Sequence, residues 1–310
     1  MVFESTEDVL LQLESVHYIA SEEMATVVFL ALATQKPVLV EGPAGVGKTQ
    51  LAKAVAQCLH RELIRLQCYE GLDEAKALYE WEYAKQLLYT QMVKDRINYV
   101  IKDAPSLSQA VENIAAQEDA FFSDRFIQPR PLLKAISSPD PVVLLIDEVD
   151  KSDPEFEAFL LELLSDFSVT IPELGTRRPI TIPLVFLTSN NYRDMSDALK
   201  RRCIHLYIDY PPPGREMEIV RTRVPGIEKN LLESLVQVMH RIRAMDLKKK
   251  PCISETIDWA RALAALEVKE LTPQAAEKTL NLVLKYQSDL TMIRQHIAEL
   301  LTAAPGSKPC

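Results

Sequence analysis

The segment that most constrains this chain is a glycine-rich loop that follows a short apolar run. Residues 42–49 read GPAGVGKT and follow the apolar residues 38–40, with Glu41 between them. Glycine lets a backbone curl around an anion without Cβ clashes. The amides of such a loop, together with the N-terminus of the helical pattern after it, point toward phosphate oxygens. The strand–loop–helix order therefore predicts a binding site for the phosphates of a nucleotide.

Two side chains at the end of this loop have the chemistry that a triphosphate requires. Lys48 can reach the β- and γ-phosphates, and the Thr49 hydroxyl can bind Mg²⁺. The alternative, a glycine-rich turn with no ligand, leaves the strand before the loop and the helix after it unexplained. The candidate nucleotide-binding residues are Gly42, Pro43, Ala44, Gly45, Val46, Gly47, Lys48, Thr49 and Gln50.

Charge and cysteine content narrow the class of protein. The chain has 310 residues and a net charge of −9, which leaves no excess of basic groups for a general nucleic-acid binder. Its five cysteines lack metal-ligand spacing, so neither a zinc site nor a disulfide framework is predicted. The acidic N-terminus does not resemble a signal peptide, and no apolar run approaches the ~20 residues of a membrane span. We therefore expect a cytoplasmic protein without a membrane span.

Five short apolar runs along the first two thirds of the chain predict strands. Helical patterns separate several of them, and strands that alternate with helices are typical of an open α/β sheet. Continuous apolar character is typical of parallel strands that are buried on both faces. The predicted strands cover residues 38–41, 63–67, 142–146, 184–188 and 204–208.

Two segments interrupt this alternation. Residues 69–140 are too long for one helix and a turn, and a polar helical region is expected there up to about Asp124. The rings of Tyr79, Trp81 and Tyr83 in this segment either contact a partner or pack at the edge of the core. Residues 169–183 predict a hairpin before the fourth strand.

A breaker cluster, PPPG at 211–214, predicts a domain boundary. Beyond it the apolar spacing is helical throughout, and Thr272 before Pro273 is a plausible N-cap. We predict a nucleotide-binding domain at 1–209 and a helical domain at 210–310. The predicted helices of the second domain cover residues 215–223, 229–245, 255–267, 273–286 and 288–301.

The apolar run at 142–146 is followed directly by Asp147 and Glu148. Carboxylates at the tip of a buried strand suit catalysis in a chain that also has a phosphate-binding loop. Asp147 can hold the Mg²⁺ shell, and Glu148 can take a proton from the attacking water. The alternative is that both acids cap the next helix, but Asp153 and Glu155 suit that helix start better.

Two further segments offer polar groups to the same site. The apolar run at 184–188 leads to Asn190, which is preferred to Asn191 as a partner of the γ-phosphate or the water; turn chemistry is the alternative. Arg201 and Arg202 precede the last predicted strand, where an arginine can enter a neighbouring subunit's site and stabilise transition-state charge. A solvated basic turn is the alternative, and the sequence does not choose between the two arginines.

These four motifs, in this order and spacing, resemble the Walker A, Walker B, sensor 1 and arginine-finger motifs of AAA+ ATPases. Within that class the chain resembles MoxR-type ATPases, especially the branch of CoxD-like and NorQ/CbbQ-like proteins. The resemblance also includes the predicted hairpin and residues 17–19, 29–32, 80–83 and 253–260. The fold class predicted is α/β: a P-loop NTPase core with a parallel five-stranded sheet, plus a C-terminal α-helical lid domain.

The resemblance implies ATP and Mg²⁺ as cofactors and a homo-oligomeric ring, usually a hexamer, with ATP between subunits. It implies remodelling of a client protein, often a metalloenzyme, with a von Willebrand factor A-domain (VWA) partner. It also implies that Tyr18 and Ile19 border the adenine, with core packing as the alternative. The chain departs from the family in one respect: it has no arginine near 254–256, where many members have a sensor 2 residue, and Arg261 lies two turns late.

The function predicted from the sequence is therefore that of an ATP-hydrolysing, MoxR-type remodelling machine. Two rival functions stay open at this stage. One is a nucleotide-driven DNA translocase or restriction subunit, which the acidic charge balance disfavours. The other is an ATP-dependent scaffold or switch with low turnover.

Overall fold

The computed structural model describes residues 3–92, 106, 123–171 and 174–302. Its strands are β1 (Val38–Glu41), β2 (Leu63–Gln67), β3 (Tyr79–Trp81), β4 (Ile127–Pro129), β5 (Val143–Asp147), β6 (Val169–Ile171), β7 (Gly175–Arg177), β8 (Leu184–Ser189) and β9 (Ile204–Tyr207). Its helices are α1 (Thr6–Ser15), α2 (Glu22–Thr34), α3 (Lys48–Cys58), α4 (Glu74–Leu78), α5 (Tyr83–Met92), α6 (Pro131–Ile136), α7 (Pro154–Asp166), α8 (Asp197–Arg202), α9 (Pro213–Arg223), α10 (Lys229–Ala244), α11 (Ile253–Ala265), α12 (Pro273–Val283) and α13 (Gln287–Thr302).

Five strands form one parallel sheet in the order β2-β5-β8-β1-β9. This confirms the predicted α/β core, and each predicted strand lies within one residue of its observed bounds. The central strand β8 lies between β5 and β1, so the carboxyl ends of these three strands are neighbours. Ligands of open α/β sheets bind at such an edge, and the candidate site residues follow these three strands.

The sheet is buried on both faces because its strands are continuously apolar. Successive side chains of a strand point to opposite faces. On β5, Leu144 and Ile146 join the core formed with α6 and α7, whereas Val143 and Leu145 join the core formed with α1, α2 and α3. This double burial holds the tip of β5, with its two acids, in a rigid frame.

Both predicted interruptions of the alternation contain short antiparallel pairs. β6 pairs with β7, which confirms the hairpin, although residues 172–173 of its turn lie outside the described residues. β3 pairs with β4, so Tyr79 and Trp81 pack against the core, while Tyr83 is exposed. Most of the helical region predicted up to residue 124 lies outside the described residues.

Helices α9–α13 enclose a hydrophobic cluster of their own, in which Met239 and Trp259 are fully buried. The predicted cap is confirmed: the Thr272 hydroxyl accepts the N–H of Ala275, and Pro273 is the first residue of α12. A C-terminal helical unit is therefore present, while the boundary at 209/210 stays a prediction. None of the helices within the described residues is long and apolar enough to cross a membrane.

A buried ion pair ties the first three of these helices together. The Arg243 guanidinium donates from Nη1 to Glu216 Oε2 (2.6 Å) and from Nη2 to Glu216 Oε1 (2.8 Å). It also donates to the carbonyl oxygen of Pro251 (2.8 Å) and to Thr256 Oγ1 (2.9 Å). Burial alone would raise the pKa of Glu216, but hydrogen bonds from Arg243 and its other neighbours lower it to about 2. The pair is therefore fully charged at neutral pH.

Replacing Arg243 by Met is expected to lower the free energy of unfolding by about 3–5 kcal/mol, because the Glu216 carboxylate is left buried without its partner. Urea unfolding at pH 7 measures the loss. Lys229→Met, at the exposed start of the same helix, is the matched control, with an expected change of less than about 0.5 kcal/mol. A loss no larger than that of the control would contradict the role of the pair.

The same pair makes the free energy of unfolding decrease at acid pH. The pKa of Glu216 is lower in the folded protein than its ordinary value of 4.5. Its contribution to stability is therefore complete above pH 4.5 and is lost as the pH falls through about 2.

Candidate nucleotide-binding and catalytic site

The glycine loop between β1 and α3 passes so close to two neighbouring segments that side chains would not fit. Gly42, Gly45 and Gly47 have φ values of 143°, 74° and 104°, which L side chains rarely adopt. A Cβ on Gly42 would lie 2.0 Å from the carbonyl oxygen of Ile208, and one on Gly45 would lie 2.0 Å from Cys252 Sγ. The loop is therefore confined between the end of β9 and the start of α11, and glycine is required by both conformation and space.

Lys48 begins α3 and turns back over the loop. Its Nζ donates to the carbonyl oxygens of Gly42 (2.7 Å) and Pro43 (2.6 Å). Burial lowers the pKa of Lys48 to about 8, although the nearby carboxylates of Asp150, Asp147 and Glu148 act in the opposite direction. An anionic ligand beside Nζ would favour the protonated form, so the arrangement suits a phosphate.

Asp147, at the tip of β5, is almost fully buried and uses both carboxylate oxygens. Its Oδ1 accepts from Thr49 Oγ1 (2.8 Å) and Thr188 Oγ1 (2.6 Å), while Oδ2 accepts from Arg65 Nε (3.0 Å). A hydroxyl and a carboxylate side by side are the hard oxygen donors that Mg²⁺ prefers. The residues present therefore fit the predicted metal ligands, Thr49 and Asp147.

Glu148 is held by three side chains from three different elements. Its Oε2 accepts from Gln67 Nε2 (2.8 Å) and Lys151 Nζ (2.6 Å), and its Oε1 accepts from Asn190 Nδ2 (3.2 Å). Glu148 itself has a positive φ of 57°, a strained conformation that is often found at functional sites. The carboxylate lines the same cleft as Lys48.

Asn190 follows β8 and brings its side-chain amide to the same cleft. Its backbone N–H donates to Asp150 Oδ2 (3.0 Å), which also accepts the N–H of Tyr192 (2.9 Å). Asn191 has a positive φ of 59° and does not line the cleft.

Two cavities flank the glycine loop and share part of its lining. One, of about 280 Å³, is the cleft lined by Lys48, Thr49, Asp147, Glu148 and Asn190. The other, of about 350 Å³, lies on the opposite side of the loop. Gly45, Gly47, Gln50 and Ser254 line both cavities.

The second cavity brings the N-terminal segment and the C-terminal helices together. Tyr18 and Ile19, the two residues for which the family resemblance implies a place beside the adenine, line this cavity. Tyr18 is also part of the core behind α3. Arg261, two turns into α11, reaches the same cavity. Arg215 lines it too and donates from Nη2 to the carbonyl oxygen of Ile19 (2.9 Å).

Arg201 and Arg202 lie at the end of α8, and both are exposed. Neither lines the two cavities beside the loop of its own chain. Arg202 Nε donates to Ser165 Oγ on α7 (2.6 Å). The structure thus brings the other predicted site residues together and leaves these two arginines at the rim of the core.

Five residues of the site were missed by reasoning from the sequence. Two of them, Arg65 and Gln67, alternate with buried apolar residues on β2, and this alternation was the available signal. The contacts could not be read from it, because nothing in the sequence places β2 beside β5. The missed residues are Arg65, Gln67, Asp150, Lys151 and Thr188.

Comparison with known families agrees with this geometry. The model of the ATPase family associated with various cellular activities (AAA) matches residues 38–210, more than half of the chain. The chain belongs to the AAA family of ATPases. This membership confirms, at the level of the family, the prediction of an ATPase built on a P-loop NTPase core.

Curated relatives of this AAA protein are similar at modest identity. The gas vesicle ATPase GvpN of Haloferax mediterranei is 26% identical over 67% of this chain and 56% of its own length. The protein NorQ of Paracoccus denitrificans is 25% identical over 74% of this chain and 72% of its own. The chain thus spans little more than half the length of GvpN. The match to NorQ confirms the resemblance to the MoxR branch that contains NorQ.

A solved structure of similar fold is a mutant of RuvB from Thermotoga maritima. It aligns with a TM-score of 0.50 and 16% identity, and it covers 98% of this chain and 82% of that chain. At this identity the likeness shows the fold alone. That fold is the P-loop NTPase core with C-terminal helices predicted from the sequence.

Proposed function

We propose that the protein hydrolyses ATP to remodel a client protein, as a MoxR-type ATPase. The observation that carries the proposal is the convergence of Lys48, Thr49, Asp147, Glu148 and Asn190 on one cleft beneath the glycine loop. These groups combine a cation for phosphate, a hydroxyl and carboxylate for Mg²⁺, and a candidate general base. AAA family membership supports the reaction.

Each side chain has a role in this proposal. When ATP binds, Lys48 Nζ gives up its hydrogen bonds to the carbonyl oxygens of Gly42 and Pro43 and donates to phosphate oxygens instead. Thr49 and Asp147 would hold Mg²⁺, which would supply neutralisation of the phosphate charge. Glu148 takes the proton of the attacking water, and Asn190 orients that water or the γ-phosphate.

The second cavity is proposed to hold the adenine, with Tyr18 and Ile19 at its border. Its position supports this role, because it continues from the phosphate cleft on the other side of the glycine loop. Arg261 is proposed to take the place of the sensor 2 arginine that is absent near 254–256, since it reaches this cavity from the lid. Closure of the lid would then depend on whether the bound nucleotide is ATP or ADP.

We infer a homo-oligomeric ring, hexameric and cytoplasmic, that acts with a VWA-domain partner on a client such as a metalloenzyme. The exposed Arg201 and Arg202 support a site shared between subunits, because neither lines the two cavities beside the loop of its own chain. The net charge of −9 favours a protein client over nucleic acid. Capture of a client by an ATP-loaded variant, compared with capture by the ADP-bound protein, tests this part of the proposal.

Lys48→Ala is expected to weaken nucleotide binding by at least about 10²-fold, because it removes charge-assisted hydrogen bonds to phosphate that contribute roughly 1.5–3 kcal/mol each. Calorimetry with ADP and with a non-hydrolysable ATP analogue measures the change. Lys36→Ala is the matched control, since Lys36 is exposed and lines neither of the two cavities beside the glycine loop. Equal affinities for the two variants would refute the assignment of the phosphate site.

A further inference from the structure

The loop between β8 and α8 joins the candidate catalytic cleft to the two exposed arginines. It begins at Asn190, whose amide contacts Glu148, and ends at Ser196, which caps α8. Two buried carboxylates, both from the segment that follows β5, hold the two ends of this loop. They are Asp150 and Glu157, which are 1% and 4% exposed.

Asp150 holds the first end of the loop. Its Oδ2 accepts the backbone N–H groups of Asn190 and Tyr192. Asp150 follows Glu148 by two residues, within the short 3-10 turn Val149–Lys151. Asp150 thus links the turn that follows Glu148 to the start of the loop.

Glu157 holds the second end. Its Oε1 accepts the backbone N–H of Ser196 (2.8 Å), and its Oε2 accepts from Arg193 Nη1 (2.7 Å). Arg193 Nε also donates to the carbonyl oxygen of Ser152 (3.2 Å), just after the same turn. Burial would raise the pKa of Glu157, but the hydrogen bonds from Ser196 and Arg193 lower it. One charged carboxylate thus joins α7, the loop and the start of α8.

The contact matters because α8 is too short to be stable by itself. It has six residues, whereas isolated helices below about 12 residues are marginal. Its position depends on the cap, in which Ser196 Oγ accepts the N–H of Leu199 (3.3 Å), and on the full burial of Leu199. Glu157 therefore holds the start of the short helix that ends in Arg201 and Arg202, while Arg202 is also held by its contact with Ser165 on α7.

We propose that Glu157 is a positioning residue that sets the direction of Arg201 and Arg202 toward the site of a neighbouring subunit. The inference rests on the proposed function. Glu157 contacts both Arg193 and Ser196. Through these contacts the turn that carries Glu148 in one site moves as one unit with the arginines that serve the next site. Glu157 contacts the loop that ends at the arginine helix, and it does not line the cleft of its own chain.

The test compares Glu157→Gln with Glu155→Gln, an equal change of charge at an exposed position on the same helix. We expect Glu157→Gln to bind nucleotide within about twofold of the control, while its kcat falls about 10²-fold, the loss expected when a catalytic group is misplaced by ~1 Å. Mixing it with Lys48→Ala subunits should restore part of the activity, because those subunits bring intact arginine helices. Ser196→Ala, which removes only the cap hydroxyl, should show a smaller loss that mixing also restores.

The outcomes separate the inference from the proposed function. A wild-type protein without ATPase activity would overturn the proposed function, and the inference with it. An active wild type with equal kcat values for Glu157→Gln and Glu155→Gln would overturn the inference alone. The inference is also overturned if both Glu157→Gln and Ser196→Ala lose activity that mixing does not restore, or if both lose affinity for nucleotide. In either case a disturbed fold, or a role of these residues in the site of their own subunit, would explain the loss.

Discussion

Glu148→Gln is expected to bind ATP with unchanged affinity while the rate of phosphate release falls by about 10²–10⁴-fold, the usual contribution of a general base. Glutamine keeps the shape of the side chain and an oxygen for the contacts with Gln67 and Lys151, but it cannot take a proton from water. The measurement is single-turnover phosphate release together with the dissociation constant for ATP. The ATP-loaded variant is also the form with which to capture a client.

Glu155→Gln serves as the control for Glu148→Gln, because it removes one carboxylate at an exposed position outside the cleft. It should hydrolyse ATP at the wild-type rate. Normal phosphate release from Glu148→Gln would remove Glu148 from its catalytic role. A parallel loss of ATP affinity would instead show that Glu148 acts in binding.

Replacing the arginine that enters the neighbour's site is expected to lower kcat by about 10³–10⁵-fold, the range measured for arginine fingers in related phosphoryl transfers. Arg201→Ala and Arg202→Ala are compared separately, since the two differ in their contacts: Arg202 already donates to Ser165. Each variant keeps an intact cleft of its own. Its affinity for nucleotide should therefore stay near that of the wild type.

Mixed rings decide whether the arginine acts across a subunit boundary. Subunits with Lys48→Ala bind nucleotide only weakly but bring intact arginines, so mixing them with the inactive arginine variant should restore activity in some sites. Lys200→Ala removes a charge from the same helix and is the control for both variants. Absence of recovery in both mixtures would contradict a shared site.

Local features of the chain were sufficient to predict most of the fold. The strands 38–41 and 63–67 were placed correctly because continuous apolar runs between helical patterns leave few other structures open. The cap at Thr272 was predicted because capping depends on neighbours in the sequence. The order of the strands in the sheet was not predicted, since it depends on packing between segments that are far apart in the chain.

The candidate site likewise contains residues that the sequence predicted and residues that only the structure revealed. Lys48, Thr49, Asp147 and Glu148 belong to short motifs whose spacing reflects their chemistry, so the sequence was enough to propose them. Arg65, by contrast, lies 82 residues before Asp147, and only the β2–β5 register brings it within hydrogen-bonding distance. Such contacts have no signature in the sequence, because a one-residue change of register would turn the side chain to the other face.

By itself, then, the sequence determined which residues can hold a triphosphate and which class of fold carries them, because the glycine loop and the acidic strand tip are local patterns. Only the tertiary structure decided how these residues are held. It placed Gln67 on Glu148, Asp150 and Glu157 on the two ends of one loop, and the lid residue Cys252 against Gly45. The physical reason is that burial and hydrogen bonding act only between groups that are close in space. For these groups the distance in space is determined by the folding of the sheet and lid, not by their separation in the chain.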